Sequence, residues 1–270
     1  MLQNKNAIIY GAGGSLGGAV AKALAASGAK LFLTGRTITS VQKLADEIRA
    51  SGGSADVAQV DAQDEKAIND HITKVVQQAG TVDISFNATG EKVVQNIPLV
   101  SMTANDFMDP MKFMLQTQFL TTTAAAKVMI KQGSGVILSL TATPGGIVYP
   151  YTGGFAPACC ALEGFTSNLA AEIGAYGVRV VNMRSGGSPD SRVFKEARDK
   201  FPEEMKTVLS NMEADTMLKK LPLMADIANL AVFLSSDLAG KITGVTVDVS
   251  SGTTAGLNYR APGAFKNLIQ

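Results

Sequence analysis

Short apolar, β-branched runs alternate along this chain with longer segments of helical period, and that order admits few folds. Runs at 6–10, 30–34, 55–60, 82–88, 135–141, 178–184 and 245–249 read as strands, and stretches at 16–27, 39–51, 64–79, 104–131, 154–176 and 225–235 read as helices. Ser27-Gly28 and Ser51-Gly52-Gly53 supply visible helix stops. Strands joined by crossover helices pair in parallel, so the expectation is one α/β domain over residues 1–270, a doubly wound parallel sheet of about seven strands with helices on both faces. A chain of 270 residues that is 46% apolar and 17% charged can bury the core such a sheet needs. Pro110 argues against 104–131 as one straight helix.

Residues 186–222 break the rhythm. They open with "GGSPDS" and continue as an amphipathic stretch, which reads as a helical insertion. Because open α/β sheets bind ligands at the carboxyl ends of their strands, an insertion after the sixth strand is placed to act as a lid, or else as a surface helical pair with no moving role. Charge excludes some partners: 24 basic against 23 acidic side chains give no field for nucleic acid or an anionic membrane, so a small molecule is the expected partner. The start, "MLQNKNAIIYGAGG", has too short an apolar run for a secretory or spanning segment, and a cytoplasmic location is expected. Cys159 and Cys160 are adjacent, and with one histidine they build neither a disulfide framework nor a metal site; both read as buried free thiols.

The segment "AIIYGAGGSLGGAVAKALAASG" is a strand, a glycine-rich turn and a small-residue helix, an order that brings backbone N–H groups to a pyrophosphate at a helix N-terminus. Gly11 makes the exit from the strand, and Gly17 and Gly18 let the helix approach the sheet. The spacing fits G-x-x-x-G-x-G with Ser15 at the middle glycine. The second strand then ends "LFLTGRT", with Gly35 and Arg36 where an acidic side chain would hold the ribose 2′-hydroxyl of NAD. A guanidinium pairs with a 2′-phosphate instead, so NADP(H) is the expected cofactor and the fold is expected to be Rossmann-like.

Several segments then resemble the short-chain dehydrogenase/reductase family over nearly the whole chain. The glycine turn resembles T-G-x-x-x-G-x-G, "VDAQD" the adenine-binding segment, "DISFNATG" the D-I-L-V-N-N-A-G segment, and "KQGSGVILSLTA" the fifth strand. The helix and strand at "ALEGFTSNLAAEIGAYGVRVVNM" and the segment "AVFLSSDLAGKITGVTVDVSSG" also line up. The resemblance implies cofactor contacts at Gly11, Gly13, Ser15, Leu16 and Gly17 of the turn, at Arg36, at Asp61 and Ala62, and at Asn87 and Ala88. It places Gly186 at the nicotinamide end, where Ser185-Gly186 replaces the usual proline-glycine. It also implies a homodimer or homotetramer built through helices 104–131 and 154–176.

In the family, a tyrosine protonates the substrate oxygen, a lysine one helical turn on lowers its pKa and holds the ribose, a serine orients the carbonyl and an asparagine supports a proton relay. Counting from Leu162-Glu163-Gly164-Phe165 puts the tyrosine and lysine at Phe155 and Cys159, the serine at Ala142 and the asparagine at Met114. Gln116 enters if that last segment slips by two. Tyr149, Tyr151 and Thr141 are the nearby groups that could stand in. Three readings stay open: an NADP(H)-dependent oxidoreductase of a carbonyl or conjugated alkene with a relocated acid, a non-catalytic nucleotide-binding sensor, scaffold or partner subunit, and thiol chemistry at Cys159.

Overall fold

A computed structural model describes residues 1–256; the expected domain was drawn to 270, and 257–270 lie outside the described residues. The strands are β1 (Asn6–Tyr10), β2 (Lys30–Gly35), β3 (Ser54–Gln59), β4 (Ile84–Asn87), β5 (Gly135–Ala142), β6 (Val178–Ser185) and β7 (Thr246–Val249). The helices longer than two turns are α1 (Ser15–Ala26), α2 (Ile38–Ala50), α3 (Glu65–Ala79), α4 (Ala104–Gln132), α5 (Phe155–Ile173), α6 (Arg192–Lys200), α7 (Pro202–Asp215) and α8 (Met224–Ser235), and a single turn follows β7 at Thr253–Gly256. The sheet is parallel throughout in the order β3-β2-β1-β4-β5-β6-β7. This is the doubly wound arrangement: the order reverses between β1 and β4, and there a crevice opens at the carboxyl ends.

Two cores follow from the strand period of two. Ala7 and Ile9 of β1 face one side, where α1, α2 and α8 bring Leu24, Leu44 and Ala231. Ile8 and Tyr10 face the other, against Ile68 and Ile72 of α3, Ala125 and Met129 of α4, and Ile173 of α5. Each large aliphatic group removed fully from water contributes about 1.5–3 kcal/mol before entropy is counted.

The 104–132 stretch continues as a helix through Pro110, which removes the donor to the Asp106 carbonyl, while Thr103 caps the first turn by accepting from the Asp106 N–H at 3.1 Å. One expectation is corrected. Cys160 is exposed, whereas Cys159 is buried; adjacent helical residues point about 100° apart, and only the second faces the sheet. The insertion forms two helices, α6 and α7, neither of which buries a residue. Among the described residues, no helix is long and apolar enough to cross a membrane.

One buried group in the α3 layer titrates abnormally. His71 is 7% exposed and its Nδ1 has no hydrogen-bond partner among the described residues; burial, helped by the charge of Lys74, lowers its pKa from 6.5 to about 4. Between those values the unfolded chain takes up a proton that the folded chain refuses, so stability falls as pH drops from about 6.5 to about 4, by roughly 3 kcal/mol in all. Chemical denaturation across this window is expected to show that slope in the native sequence and a shallower one in His71→Leu.

Candidate functional site

The phosphate turn is built by close backbone approach. Gly11 has φ +73°, and a Cβ there would lie 2.8 Å from the Ala88 carbonyl and the Thr89 nitrogen, so the loops after β1 and β4 touch at the switch point. A Cβ at Gly17 would lie 2.5 Å from the Gly11 oxygen, and one at Gly13 would meet Ser40 Oγ. The first turn of α1 carries no side-chain cap at Gly14, which leaves its N–H groups facing the crevice for an anion. Leu16 is half-buried in that turn. Ser15 has a further contact not evident from the motif: its Oγ accepts a 3.0 Å bond from the Arg192 N–H at the start of α6.

The remaining cofactor positions surround this turn. Arg36 is exposed just beyond β2, and its carbonyl accepts from Gln59 Nε2 at 2.9 Å, which fixes the backbone and leaves the guanidinium outside. Asp61 closes a local turn by accepting from the Gln63 N–H at 3.0 Å, beside buried Ala62. Asn87 is buried, donating to Thr121 Oγ1 at 3.1 Å and accepting from the Thr89 N–H at 2.9 Å, and the Ala88 N–H donates to the Tyr10 carbonyl at 3.0 Å. Asn87 therefore braces β4 against α4. Gly186 is held by its N–H to the Val249 carbonyl at 2.8 Å, and a Cβ there would lie 3.0 Å from Pro222 and Ser250. Two residues on, Ser188 Oγ is buried without a hydrogen-bond partner among the described residues.

The structure brings Ala142, Phe155 and Cys159 to one corner. Cys159 is fully buried, with its Cβ 3.3 Å from where a Gly145 Cβ would stand; burial is the main cause that pushes its thiol up to about 11, with a backbone hydrogen bond at Ala142 opposing. Such a thiol is neutral and unreactive at ordinary pH, which counts against chemistry at this sulfur. Met114 is half-buried on α4 and Gln116 is exposed. Tyr149 is half-buried, and burial raises its pKa, partly offset by a hydrogen bond from Thr143, with the charge of Asp215 on α7 also raising it. Tyr151 is 54% exposed in a left-handed conformation, φ 63°. Thr141 points away from the crevice toward α5, where its hydroxyl donates to Glu163 Oε1 at 2.8 Å and accepts from Asn182 Nδ2 at 2.7 Å.

That last contact belongs to a buried polar seam the motifs did not reveal. Ser139 and Thr141 of β5 stand beside Asn182 and Arg184 of β6 in register, and all four face α5. Ser139 donates to Asn182 Oδ1 at 2.9 Å, while Arg184 places Nε 3.0 Å from Glu163 Oε1, Nη2 2.5 Å from Oε2, and Nη1 2.8 Å from Asp248 Oδ2. The loop after β5 lies on this pair: a Cβ at Gly145 would strike the Glu163 carboxylate, and one at Gly146 would lie 2.6 Å from Arg184 Nη1. A polar residue at every second position of otherwise apolar strands is the signal that could have found it.

Residues 11–254 match the family described as "Enoyl-(Acyl carrier protein) reductase". The chain belongs to the short-chain dehydrogenase/reductase family of oxidoreductases. Levodione reductase of Leifsonia aquatica is 30% identical over 92% of this chain and 93% of its own length. The crystal structure of a levodione reductase superposes with a TM-score of 0.87 at 26% identity, covering 94% of this chain and 99% of that one. Two more distant structures share the fold. A gluconate 5-dehydrogenase of Burkholderia cenocepacia in complex with NADP and tartrate has a TM-score of 0.84 at 23% identity, covering 95% and 97%. An NAD+-bound xylitol dehydrogenase has a TM-score of 0.86 at 22% identity, covering 93% and 99%. Of these two neighbours, the first binds NADP and the second NAD+.

The polar seam predicts an asymmetric response to mutation. Glu163→Ala removes the two more buried contacts of the Arg184 guanidinium, whose side chain is 13% exposed, leaves it only the more exposed Asp248, and is expected to cost about 3 kcal/mol in urea unfolding. Asp248→Asn, at a side chain 34% exposed, is expected to cost about 1 kcal/mol or less.

Proposed function

We propose that this protein is an NADP(H)-dependent reductase of a carbonyl or conjugated alkene whose proton does not come from the family's tyrosine–lysine pair. The observation that carries the cofactor is Arg36, an exposed guanidinium just beyond β2, where a 2′-phosphate would lie and an acidic residue would repel it. The glycine cradle fits the pyrophosphate, since any Cβ at Gly11 or Gly17 would collide with backbone. Gly13, Ser15 and Leu16 complete that turn, Asp61 and Ala62 flank the adenine, Asn87 and Ala88 the ribose side, and Gly186 the nicotinamide end. The orphaned Ser188 hydroxyl supports the same assignment, being a buried polar atom that the described protein groups leave unpaired. Bound there, the cofactor supplies a hydride.

The chain's own task is to place the acceptor and deliver a proton. Met114, Ala142, Phe155 and Cys159 stand at the family's four polar positions, and none offers an acidic proton near neutral pH. Thr141 already donates its hydroxyl hydrogen bond to Glu163, which leaves Tyr149 as the better-placed donor. Its raised pKa keeps it protonated, so it acts as a hydrogen-bonding acid without a lysine, a weaker device suited to an activated acceptor. The α6–α7 insertion serves as the lid: it meets the phosphate turn through Ser15, and its Asp215 reaches Tyr149 electrostatically.

A second reading has its own observation, the apolar corner at Ala142, Phe155 and Cys159: a nucleotide-binding sensor, scaffold or partner subunit without turnover. Self-association as a homodimer or homotetramer through α4 and α5 fits either reading. Phe119 is 53% exposed beside Phe165 with ring centroids 6.1 Å apart, and the solution mass tests it.

Arg36→Glu is expected to weaken NADPH binding by roughly tenfold to a hundredfold while leaving NADH binding within a few-fold, measured by cofactor fluorescence. Equal loss for both cofactors overturns the NADP(H) assignment. On a substrate that turns over, Tyr149→Phe is expected to lower kcat by roughly a hundredfold with KM little changed, and the native rate should hold without an alkaline decline up to the ordinary tyrosine value of 10.0. Tight NADPH binding with no turnover across a carbonyl and enone panel would establish the sensor reading.

A further inference from the structure

Two loops at the mouth of the crevice are free of charge. From Gln132 to Leu162, through β5 and into α5, the chain has no acidic or basic residue, and neither does the run from Val93 to Asn105 between β4 and α4. The structure joins them: the Asn96 N–H donates to the Tyr151 carbonyl at 2.8 Å, and a Cβ at Gly153 would lie 2.7 Å from both Met102 Cε and the Val94 oxygen. On the opposite side, the insertion closes over the loop after β6 with apolar groups. A Cβ at Gly187 would lie 2.6 Å from Met212 Cε and 2.9 Å from Phe194 Cζ. The chain leaving α7 is pinned by the Met217 and Leu218 N–H groups to the Ser251 carbonyl, at 3.0 and 3.2 Å.

The charges near this rim do not favour an anion. Arg184, the cation nearest the Cys159 corner, is already shared by the carboxylates of Glu163 and Asp248, so the cluster carries a net negative charge. Asp215 adds another toward Tyr149. Glu91 and Lys92 lie at the outer edge and are exposed. Among the described residues these two loops offer an entering carboxylate no cation in return for its lost hydration, since Lys219 and Lys220 beyond the pinned Met217–Leu218 are exposed to solvent, and a polyol would meet thioether and ring carbon where it needs hydrogen-bonding groups.

We propose that the ligand of this crevice is a neutral, predominantly apolar carbonyl or conjugated-alkene compound, and not a sugar acid, keto acid or polyol. The inference rests on the crevice being the substrate site of the proposed reductase. Flexible methionines on several sides suit an apolar body of irregular shape, since the thioether repacks at little cost.

Calorimetric titration of the full chain tests this with 2-decalone as the neutral bicyclic ketone, against 4-oxocyclohexanecarboxylate, gluconate and xylitol. Each is titrated with and without saturating NADPH. Decalone is expected to bind at least roughly tenfold more tightly than the keto acid, with no heat from gluconate or xylitol at concentrations on the order of millimolar. Met212→Lys is expected to weaken decalone by roughly tenfold, and Met217→Lys serves where the first variant fails to fold. Binding of gluconate, xylitol or the keto acid as tight as that of decalone overturns the proposal, as does decalone binding that neither lysine variant weakens, or no decalone binding in either cofactor state. Failure of NADPH itself to bind refutes the cofactor reading alone, because the cofactor-free titrations still decide the ligand class.

Discussion

The contact between Gly11 and the Ala88–Thr89 backbone is the constraint on which the rest of the molecule depends. β1 and β4 are neighbours in the sheet, yet the helix after β1 packs on one face and the helix after β4 on the other. The chain must therefore turn in opposite senses from two adjacent strand ends, and a side chain at residue 11 would force those ends apart. With glycine there, the loops touch and the carboxyl edge of the sheet opens into a crevice walled by backbone amides. Both the proposed phosphate site and the apolar mouth beside it are consequences of that geometry.

Away from the switch point, a second organising element is the seam under the β5–α5 loop. It is an ion pair set in a network of hydroxyl and carboxamide groups, with no buried polar side chain of the network left unpaired. Isolated buried pairs contribute little net stability, but this one has the loop backbone resting on it at Gly145 and Gly146. It therefore fixes where Tyr149 begins its approach to the crevice. The same arrangement uses up Thr141 and Arg184, two groups that a linear reading could have assigned to substrate.

Much of the fold was legible because the driving pattern is local. Each of the seven strands falls within two residues of its expected place, since parallel strands buried on both faces appear as short apolar runs bounded by turns. The close-packed glycine turn was legible for a similar reason: one local motif fixes the backbone there. Pro110 lies in the second turn of α4, where it removes the donor to the Asp106 carbonyl and the helix nevertheless continues. Cys160 was misread because the general tendency of free thiols to be buried was applied to both of two adjacent helical positions. The Glu163–Arg184 pair was not legible, since its partners are twenty-one residues apart and meet only when α5 folds back over β6. Ser15 was read as a substitute glycine, whereas its hydroxyl holds the start of α6, a long-range contact no spacing rule contains.

The contact at Ser15 also bears on motion. Neither α6 nor α7 buries a side chain, so the insertion is held by a few hydrogen bonds and by Phe194 and Met212 resting on Gly187. A typical hydrogen bond adds about 1 kcal/mol net, far less than the cooperative free energy of a domain this size. The proposed lid is therefore expected to open as a unit of low stability, its amides exchanging with solvent before those of β1, β4 or β5.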